Sequence, residues 1–579
     1  MTETRPWPVM SIAKAHELMT APGAAFEMDD VVIRGVRQRV WKNGPPTLRE
    51  VFLAGRAHGA ATFVVYENDR ATFEGFARAT LALAEALQRD GVVKGDRVAI
   101  AMRNLPEWPV AHFAALLVGA IATPLNAWGT RDELLYGLSD SGSRVAIVDG
   151  ERWDRIADGL AGCPGLERVY VTRAAAAVDH PRVTALADVV GPVDGWSDLP
   201  DRPLPDVPLA PDDDATLFYT SGTTGRPKGA LGTHRASTTT VLASSFSVQR
   251  NFWRRGEPVP RPEDRKQQRA VLLGIPFFHT TGCQAILGAA VYAGTKLVCM
   301  RRWDTERAMA LIARERCTQA GGVPTLAWQI LEHPERHRHD LSSLESVSYG
   351  GAPASPELVR RIREVFPLSA PGLGWGMTET SATCTHHSGE DYVRKPESSG
   401  PPLPVCEVRI VDESGRTLPP GEVGELWAKG PNVVKGYWNN PQATAETFVD
   451  GWVRTGDLAR LDDEGFLYIV DRKKDMLIRG GENIYCSEVE SALYAHPAVL
   501  DAAVVGRPHR TLGEEPVAVV TPKAGQTVDE ATLRRFVGER LAAFKVPVEI
   551  HVQSEMLPRN ANGKLLKGEL RRRFGQAPA

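Results

Sequence analysis

From Arg97 onward the chain alternates long apolar blocks with mixed ones. "RVAIAMRN" has the continuous apolar character of a buried strand, and "PEWPVAHFAALLVGA" behind it that of an apolar helix. "IATPLN" predicts a short strand, "RDELLYGLSDSG" an amphipathic helix and "SRVAIVDG" another strand. From Ala270 the same order returns: strand "AVLLGIP", helix "CQAILGAAVYAG", strand "KLVCM", helix "DTERAMALIARERC" and strand "TQAGGVP". Both copies carry a tryptophan at the same joint, Trp128 and Trp303. Apolar strands alternating with helices predict parallel sheets covered on both faces. Two copies predict two similar α/β layers in one large domain.

The connectors differ in texture. Residues 192–214 are rich in Pro and Asp and read as a surface connector, and 250–269 read as a loop interrupting the second copy. From about Val405, short alternating strands with Gly-Pro-Asn turns predict a small β-barrel or sheet. A charged break near Asp471–Asp475 precedes a last unit of α+β character. The expected fold class is therefore α/β: a large N-terminal domain of two similar α/β layers plus a small β-barrel, then a small α+β C-terminal domain. The expected division is 1–45 as an extension without an assigned role, 46–473 as the large domain and 474–579 as the small one.

Composition narrows the partners. A chain of 579 residues is too long for one compact core. Lys+Arg 68 against Asp+Glu 71 leaves a net charge of −3, which argues against a nucleic-acid binder, and "RRRF" near the end reads as a solvated helix end. No apolar run reaches the ~18 residues of a membrane span. The N-terminal "MTETRPWPVMSIAKAHELMT" lacks the apolar segment of a signal peptide. Seven scattered cysteines without a CxxC pair read as reduced thiols of a cytoplasmic protein. His333, His337, His339, His386 and His387 have neither thiolates nor a second spaced pair nearby, so they are not expected to bind metal.

The chemistry begins at "FYTSGTTGRPKGA", 218–230. A Gly/Ser/Thr loop leaving an apolar strand can turn backbone N–H groups and hydroxyls toward an anion, and Lys228 adds a point charge. The rival reading is a flexible linker, but linkers seldom follow a buried strand and repeated Thr is unusual in them. The loop is not a Walker A loop, because Lys228 follows Pro and precedes Gly. "YTSGTTGRPKGA" resembles the phosphate-loop signature of the adenylate-forming superfamily: acyl-CoA synthetases, luciferases and peptide-synthetase adenylation domains. Further motifs follow in that family's order: "PFFHTTG" (276–282), "YGGAP" (349–353), "GWGMTET" (374–380), "GELWAKGPNVVKGYWNNP" (424–441), "RTGDL" (454–458), "DRKKDMLIRGGENIYCSEVE" (471–490) and "PRNANGKLLK" (558–567). The resemblance spans about Thr47 to Lys567.

It implies ATP-dependent activation of a carboxylic acid. Coupling the acid to AMP makes a leaving group of an oxygen that would otherwise depart as oxide. Two anions must meet for that, so preorganised donors and positive charge are required. By resemblance, Thr220, Ser221, Gly222, Thr223, Thr224, Gly225 and Lys228 hold the β- and γ-phosphates. Gly350, Gly351 and Ala352 let the adenine lie on bare backbone, and Trp375, where most relatives have Tyr, stacks on it. Thr378 bonds the α-phosphate, and Glu379 ligates Mg2+, a hard cation suited to oxygen donors. Asp457 and Arg472 hold the ribose. Lys564 bridges carboxylate and α-phosphate. His279 resembles the gate between the ATP and acyl sites, with a satisfied core histidine as the rival reading. Lys474 is the expected hinge about which the C-terminal domain swings. Gly480 and Gly481 are expected to line a tunnel for the pantetheine arm, or else to form a bulge or hairpin turn.

Coenzyme A is the expected thiol. An acyl-AMP ligase serving a carrier protein, a luciferase-like oxygenase and an AMP-binding regulator are the rivals. No extra block follows Glu379, as it would in the acyl-AMP ligases, and Lys564 and Glu379 are both present, against the regulator. Gly376 stands where acetyl-CoA synthetases place a second Trp, so an open floor and an acid larger than acetate are expected, fatty or aryl. Gly376, His279, Thr280, Thr281, Gly282, Ala285 and Gly350 are the expected pocket lining. A homodimer is common in the family.

Overall fold

The computed structural model describes residues 7–220, 226–261, 264–350, 356–559 and 565–575. Two eight-stranded sheets carry the large domain. The first runs, in spatial order, Gly436–Tyr437, Gly229–Thr233, Asp214–Tyr219, Ile121–Pro124, Arg97–Ala101, Val145–Asp149, Arg168–Thr172 and Val183–Ala185. Its last six strands are parallel, and the first two pair antiparallel at one edge. The second runs Thr385–Ser388, Ala370–Trp375, Ser346–Gly350, Gln319–Gly322, Ala270–Leu273, Lys296–Cys299, Thr62–Tyr66 and Asp69–Thr72, parallel except at its two outermost pairs. Each of the two copies read in the sequence is thus the centre of one sheet.

The sheets share one core. Val98 and Ile100 of the first sheet join Phe63, Leu273 and Leu297 of the second in a single buried cluster with the helices Phe73–Arg89 and Glu107–Leu117. Every residue of the second of these helices is buried, which its all-round apolar sequence requires. Trp108 there stacks on His112 and Phe277. Asn104, just past the central strand Arg97–Ala101, joins the sheets: its amide donates to the Ile275 carbonyl at 3.0 Å, and its Oδ1 accepts from the Phe277 N–H at 2.8 Å.

Three expectations change. The connector 192–214 contains a 3-10 turn, Val193–Asp198, whose Trp196 is fully buried beside the helix Phe73–Arg89; its Pro and Asp residues gave no sign of that one anchoring side chain. The start of 250–269 is helical, as the end of Ala243–Arg255, with Arg250, Asn251 and Arg254 buried. The helix expected from Cys283 begins earlier and wider, as a π-helix over Thr281–Gly288, before Ala289–Ala293 closes as α-helix.

The N-terminal segment is built into the domain. The helix Ile12–Met19 and the hairpin Met28–Ile33 with Val36–Trp41 pack Met19, Phe26 and Trp41 against Leu242, Ala243 and Phe246. The expected small β unit consists of five antiparallel strands. Its last strand, Leu467–Arg472, pairs with Trp452–Leu461, whereas the next, Leu477–Arg479, belongs to a separate five-stranded sheet packed with the helices Cys486–Tyr494, Glu530–Gly538 and Lys567–Phe574. Among the described residues no helix is long and apolar enough to cross a membrane.

Candidate active site

The loop expected to hold phosphate connects the antiparallel strands Asp214–Tyr219 and Gly229–Thr233, with Tyr219 opposite Gly229. Its base is closed by the Thr220 N–H donating to the Lys228 carbonyl at 2.9 Å and the Lys228 N–H to Thr220 Oγ1 at 3.4 Å. Ser221, Gly222, Thr223, Thr224 and Gly225 lie outside the described residues, as do Gly351, Ala352 and Lys564. Tyr136 supports the loop's exit, donating to the Pro227 carbonyl at 3.2 Å while the Arg226 guanidinium lies over its ring.

Two clusters are joined by the segment 375–379, and the first of them stands beside this loop. In the first, the Lys228 ammonium lies 4.4 Å from the centre of the Tyr437 ring, and the Tyr437 hydroxyl donates to Glu379 Oε1 at 2.7 Å. Glu379 is 7% exposed. Its backbone is held by the Val434 N–H donating to its carbonyl at 3.0 Å, and Asn432 donates to the carbonyls of Thr380 and Thr383. Tyr437 sits on the edge strand of the first sheet opposite Ala230, which explains why it meets a lysine more than 200 positions away. Burial and the Glu379 charge push its phenol well above the usual range, so it remains a donor. The motif resemblance did not single out Tyr437, although it lies within the quoted "KGYW".

In the second cluster, Trp375 Nε1 donates to Asp457 Oδ2 at 2.9 Å, and Arg472 Nε lies 2.6 Å from Asp457 Oδ1. Asp457 and Arg472 are direct cross-strand neighbours. Asp457 is 2% exposed, with Trp375 on one of its oxygens and Arg472 on the other. Thr378 and Glu379 lie on the 3-10 turn Thr378–Thr380, within two residues of Met377, whose N–H donates to Thr380 Oγ1. One carboxylate beside a phosphate loop fits a magnesium ion that arrives with phosphate oxygens as its other ligands.

His279 lies two residues before the π-helix: its carbonyl accepts from the Cys283 N–H, and its Nδ1 accepts from the Thr281 N–H at 3.2 Å. In the neutral ring the proton is then on Nε2. Thr280 is buried, whereas Thr281, Ala285 and Gly350 are half-buried.

Two glycines expected as pocket lining face backbone instead. A Cβ on Gly376 would lie 1.9 Å from the Ala382 carbonyl oxygen, and one on Gly282 would lie 2.1 Å from that of Pro276. These residues are bare because the chain approaches itself, so the open floor inferred at Gly376 is not what its glycine provides. Gly480 and Gly481 form the two-residue turn of the hairpin pairing Arg479 with Glu482, both with positive φ. That turn accounts for both glycines. Lys474 lies in a tight turn in which the Asp475 and Met476 N–H groups donate to the Arg472 carbonyl, and burial lowers its pKa.

Residues 52–438 match the family of AMP-binding enzymes, and 488–564 match the AMP-binding enzyme C-terminal domain. A feruloyl-CoA synthase of Amycolatopsis sp. is 36% identical over 519 residues, 89% of this chain and 96% of that one. A long-chain-fatty-acid–CoA ligase of Bacillus subtilis is 33% identical, covering 88% and 91%. The crystal structure of an anthranilate CoA ligase with anthranoyl-AMP superposes with a TM-score of 0.80 at 26% identity, covering 91% of this chain and 97% of that one.

Proposed function

The chain belongs to the AMP-binding enzyme family, and from that premise we propose that it is an ATP-dependent acyl-CoA synthetase acting on an acid larger than acetate. The observation that carries the reading is the pair of clusters joined by the segment 375–379: Lys228, Tyr437 and Glu379 in one, Trp375, Asp457 and Arg472 in the other. A cation and a carboxylate bridged by one phenol suit a polyphosphate with its magnesium ion. A half-buried indole beside a carboxylate–guanidinium pair suits a nucleoside.

In the first half-reaction a carboxylate oxygen attacks the α-phosphorus, the bond to the bridging oxygen breaks, and pyrophosphate leaves. Lys228 and the loop hydroxyls stabilise the departing charge. Lys564 offsets the repulsion between carboxylate and α-phosphate, and Thr378 orients the phosphate. Glu379 would hold the magnesium ion, which when bound neutralises phosphate charge. In the second half-reaction the thiol sulfur attacks the acyl carbon, its proton is lost, and AMP departs.

A nucleotide-bearing thiol is favoured by two residues just past the carboxyl ends of the parallel strands Arg97–Ala101 and Ile121–Pro124. Trp128 is 45% exposed there, with the Arg103 guanidinium 4.8 Å from its ring. Arg103 is 8% exposed, and among the described residues its Nε has no hydrogen-bond partner. Burial, with Arg152 and Arg302 nearby, lowers its pKa to about 10. An aromatic face beside an underused cation suits a phosphorylated purine such as that of coenzyme A. The relatives are named for ferulate, long-chain fatty acids and anthranilate, all larger than acetate, and this supports the size reading in place of Gly376.

The test is release of pyrophosphate and AMP across a panel of acids, with and without CoA. Acyl-CoA and AMP should appear together only when CoA is present. Stalling at acyl-AMP despite CoA would favour the alternative, a ligase that loads a carrier protein. Lys564→Ala should slow acyl-AMP formation ~10²–10³-fold while affecting thioester formation from supplied acyl-AMP much less. Equal losses in both halves would remove the assigned role.

A further inference from the structure

The described chain on either side of residues 560–564, the segment that includes Lys564, is tied together at one point. Arg559 pairs with Leu565 as an isolated antiparallel bridge, and the Leu566 N–H donates to the Pro558 carbonyl at 2.9 Å. The segment is thus flanked by two adjoining stems. Where those stems are fixed bears on where the lysine can reach.

Each stem is held by a buried carboxylate. On the first, Arg559 Nη2 lies 2.7 Å from Asp501 Oδ1 and 2.8 Å from Asp501 Oδ2. Asp501 is 2% exposed, and its Oδ1 also accepts from the Tyr494 hydroxyl at 2.6 Å and the Ala502 N–H at 3.1 Å. On the second, Lys567 Nζ lies 2.7 Å from Glu490 Oε1, which also accepts from the Val504 N–H at 2.8 Å. Glu490 is 8% exposed. Burial disfavours the Lys567 charge, but Glu490, with Asp471 and Asp475, holds its pKa above the ordinary range. Glu490 and Tyr494 stand four apart on the helix Cys486–Tyr494, and so on one face of it. Asp501 and Val504 lie on the strand Val499–His509, against which that helix packs. One helix–strand layer therefore grips both stems, each through a cation.

Buried ion pairs add little stability by themselves, because the loss of hydration offsets most of the attraction, and apolar side chains of similar volume hold as well. What a charged, hydrogen-bonded pair adds is a fixed distance and direction. A lysine that must stand between a carboxylate and an α-phosphate needs both. We propose that Asp501 and Glu490 are positioning residues for acyl-AMP formation, holding Lys564 in place through Arg559 and Lys567. This rests on the acyl-activating reading above and deepens it at the lysine.

The test uses the full-length enzyme with ferulate, anthranilate and dodecanoate. The two half-reactions are measured apart, as pyrophosphate release without CoA and as thioester formation from the matching acyl-AMP. Removing one member of a pair strands a buried charge, so both members are replaced together. Asp501→Asn with Arg559→Met keeps the acceptor for Tyr494 and the length of the stem. Glu490→Gln with Lys567→Met keeps the acceptor for Val504 on the other side. In each double variant pyrophosphate release should fall roughly 10- to 100-fold, the effect of misplacing a catalytic group by about 1 Å. The melting temperature, the KM for ATP and the rate of thioester formation should stay near their wild-type values. Arg559→Lys, which keeps a cation on Asp501, should retain most of the release. Wild-type release in a double variant, or an equal fall in both half-reactions, would overturn the assignment of that stem and leave its ion pair to structure alone. If a double variant fails to fold, Tyr494→Phe decides the matter, since it removes one hydrogen bond and no charge. Release should then drop relative to thioester formation, and an unchanged ratio would overturn the assignment. An active wild type with unchanged ratios in the variants would sink this inference and keep the acyl-activating reading, whereas wild-type silence with all three acids would overturn both.

Discussion

Tyr437 touches both charges of the phosphate site, with its ring facing the Lys228 ammonium and its hydroxyl donating to Glu379. Tyr437→Phe keeps the ring but leaves a nearly buried carboxylate short of a donor. That change costs about 1–3 kcal/mol, so kcat/KM for MgATP in the pyrophosphate-exchange reaction should fall roughly 10- to 100-fold. Unchanged exchange at every magnesium concentration would show that the phenol does not position Glu379. Gly376 makes the opposite kind of case. With the Ala382 carbonyl 1.9 Å from where its Cβ would be, Gly376→Ala should overpack the turn. The expected cost is about 1–3 kcal/mol or more, read as a lower melting temperature. Rates should fall alike for acids from acetate to dodecanoate. An unchanged melting temperature with a shifted ranking of acids would return Gly376 to the pocket floor.

Among the elements, the turn at 472–475 separates a strand of one sheet, Leu467–Arg472, from a strand of another, Leu477–Arg479. Lys474→Pro would fix φ near −65° and remove an N–H at the expected pivot. Acyl-AMP formation should survive better than thioester formation; wild-type rates in both would place the pivot elsewhere. Elements of this kind show what a sequence can reveal. The strands and helices of both copies were legible because continuous apolar strands between amphipathic helices have few other solutions. The loop between Thr220 and Lys228 stood out because its residue types are poor builders of any core. Trp196, Tyr437 and the π-helix at Thr281–Gly288 were not, because each depends on a partner distant in the chain or on a hydrogen-bond register that leaves no mark in the pattern of apolar positions. Gly376 and Gly282 misled for a related reason: a bare residue looks the same whether it faces a ligand or another carbonyl.

At the scale of the whole molecule, the buried His112, His234 and His387 and the half-buried His16 and His386 couple stability to pH. Burial lowers the pKa of His16, His112 and His387 to about 3 and that of His234 and His386 to about 4. The unfolded chain holds those rings near 6.5, so below that pH it binds protons that the folded protein refuses. Their contribution is therefore fully present above pH 6.5 and is lost as pH falls toward 4, at up to about 1.4 kcal/mol per pH unit for each ring. Calorimetric melting temperatures should drop steeply between pH 6.5 and 5, and a flat profile over that range would show the rings to be accessible.

The strand Thr62–Tyr66 has a consequence for how the protein is made. It is among the first strands of the chain, yet it belongs beside Lys296–Cys299, with Tyr66 opposite Cys299. On a ribosome adding ~5–20 residues per second, the gap of roughly 230 residues takes roughly 10–50 s to cross. Throughout that interval Phe63, Val64 and Val65, all fully buried at the end, have no sheet to join. The nascent hairpin is an open, apolar edge of the kind that chaperones protect and that pairs with its neighbours when they do not. The two halves of the large domain are therefore not separable folding units, and a chain ended near residue 255 should be recovered in aggregates although it contains most of the first sheet.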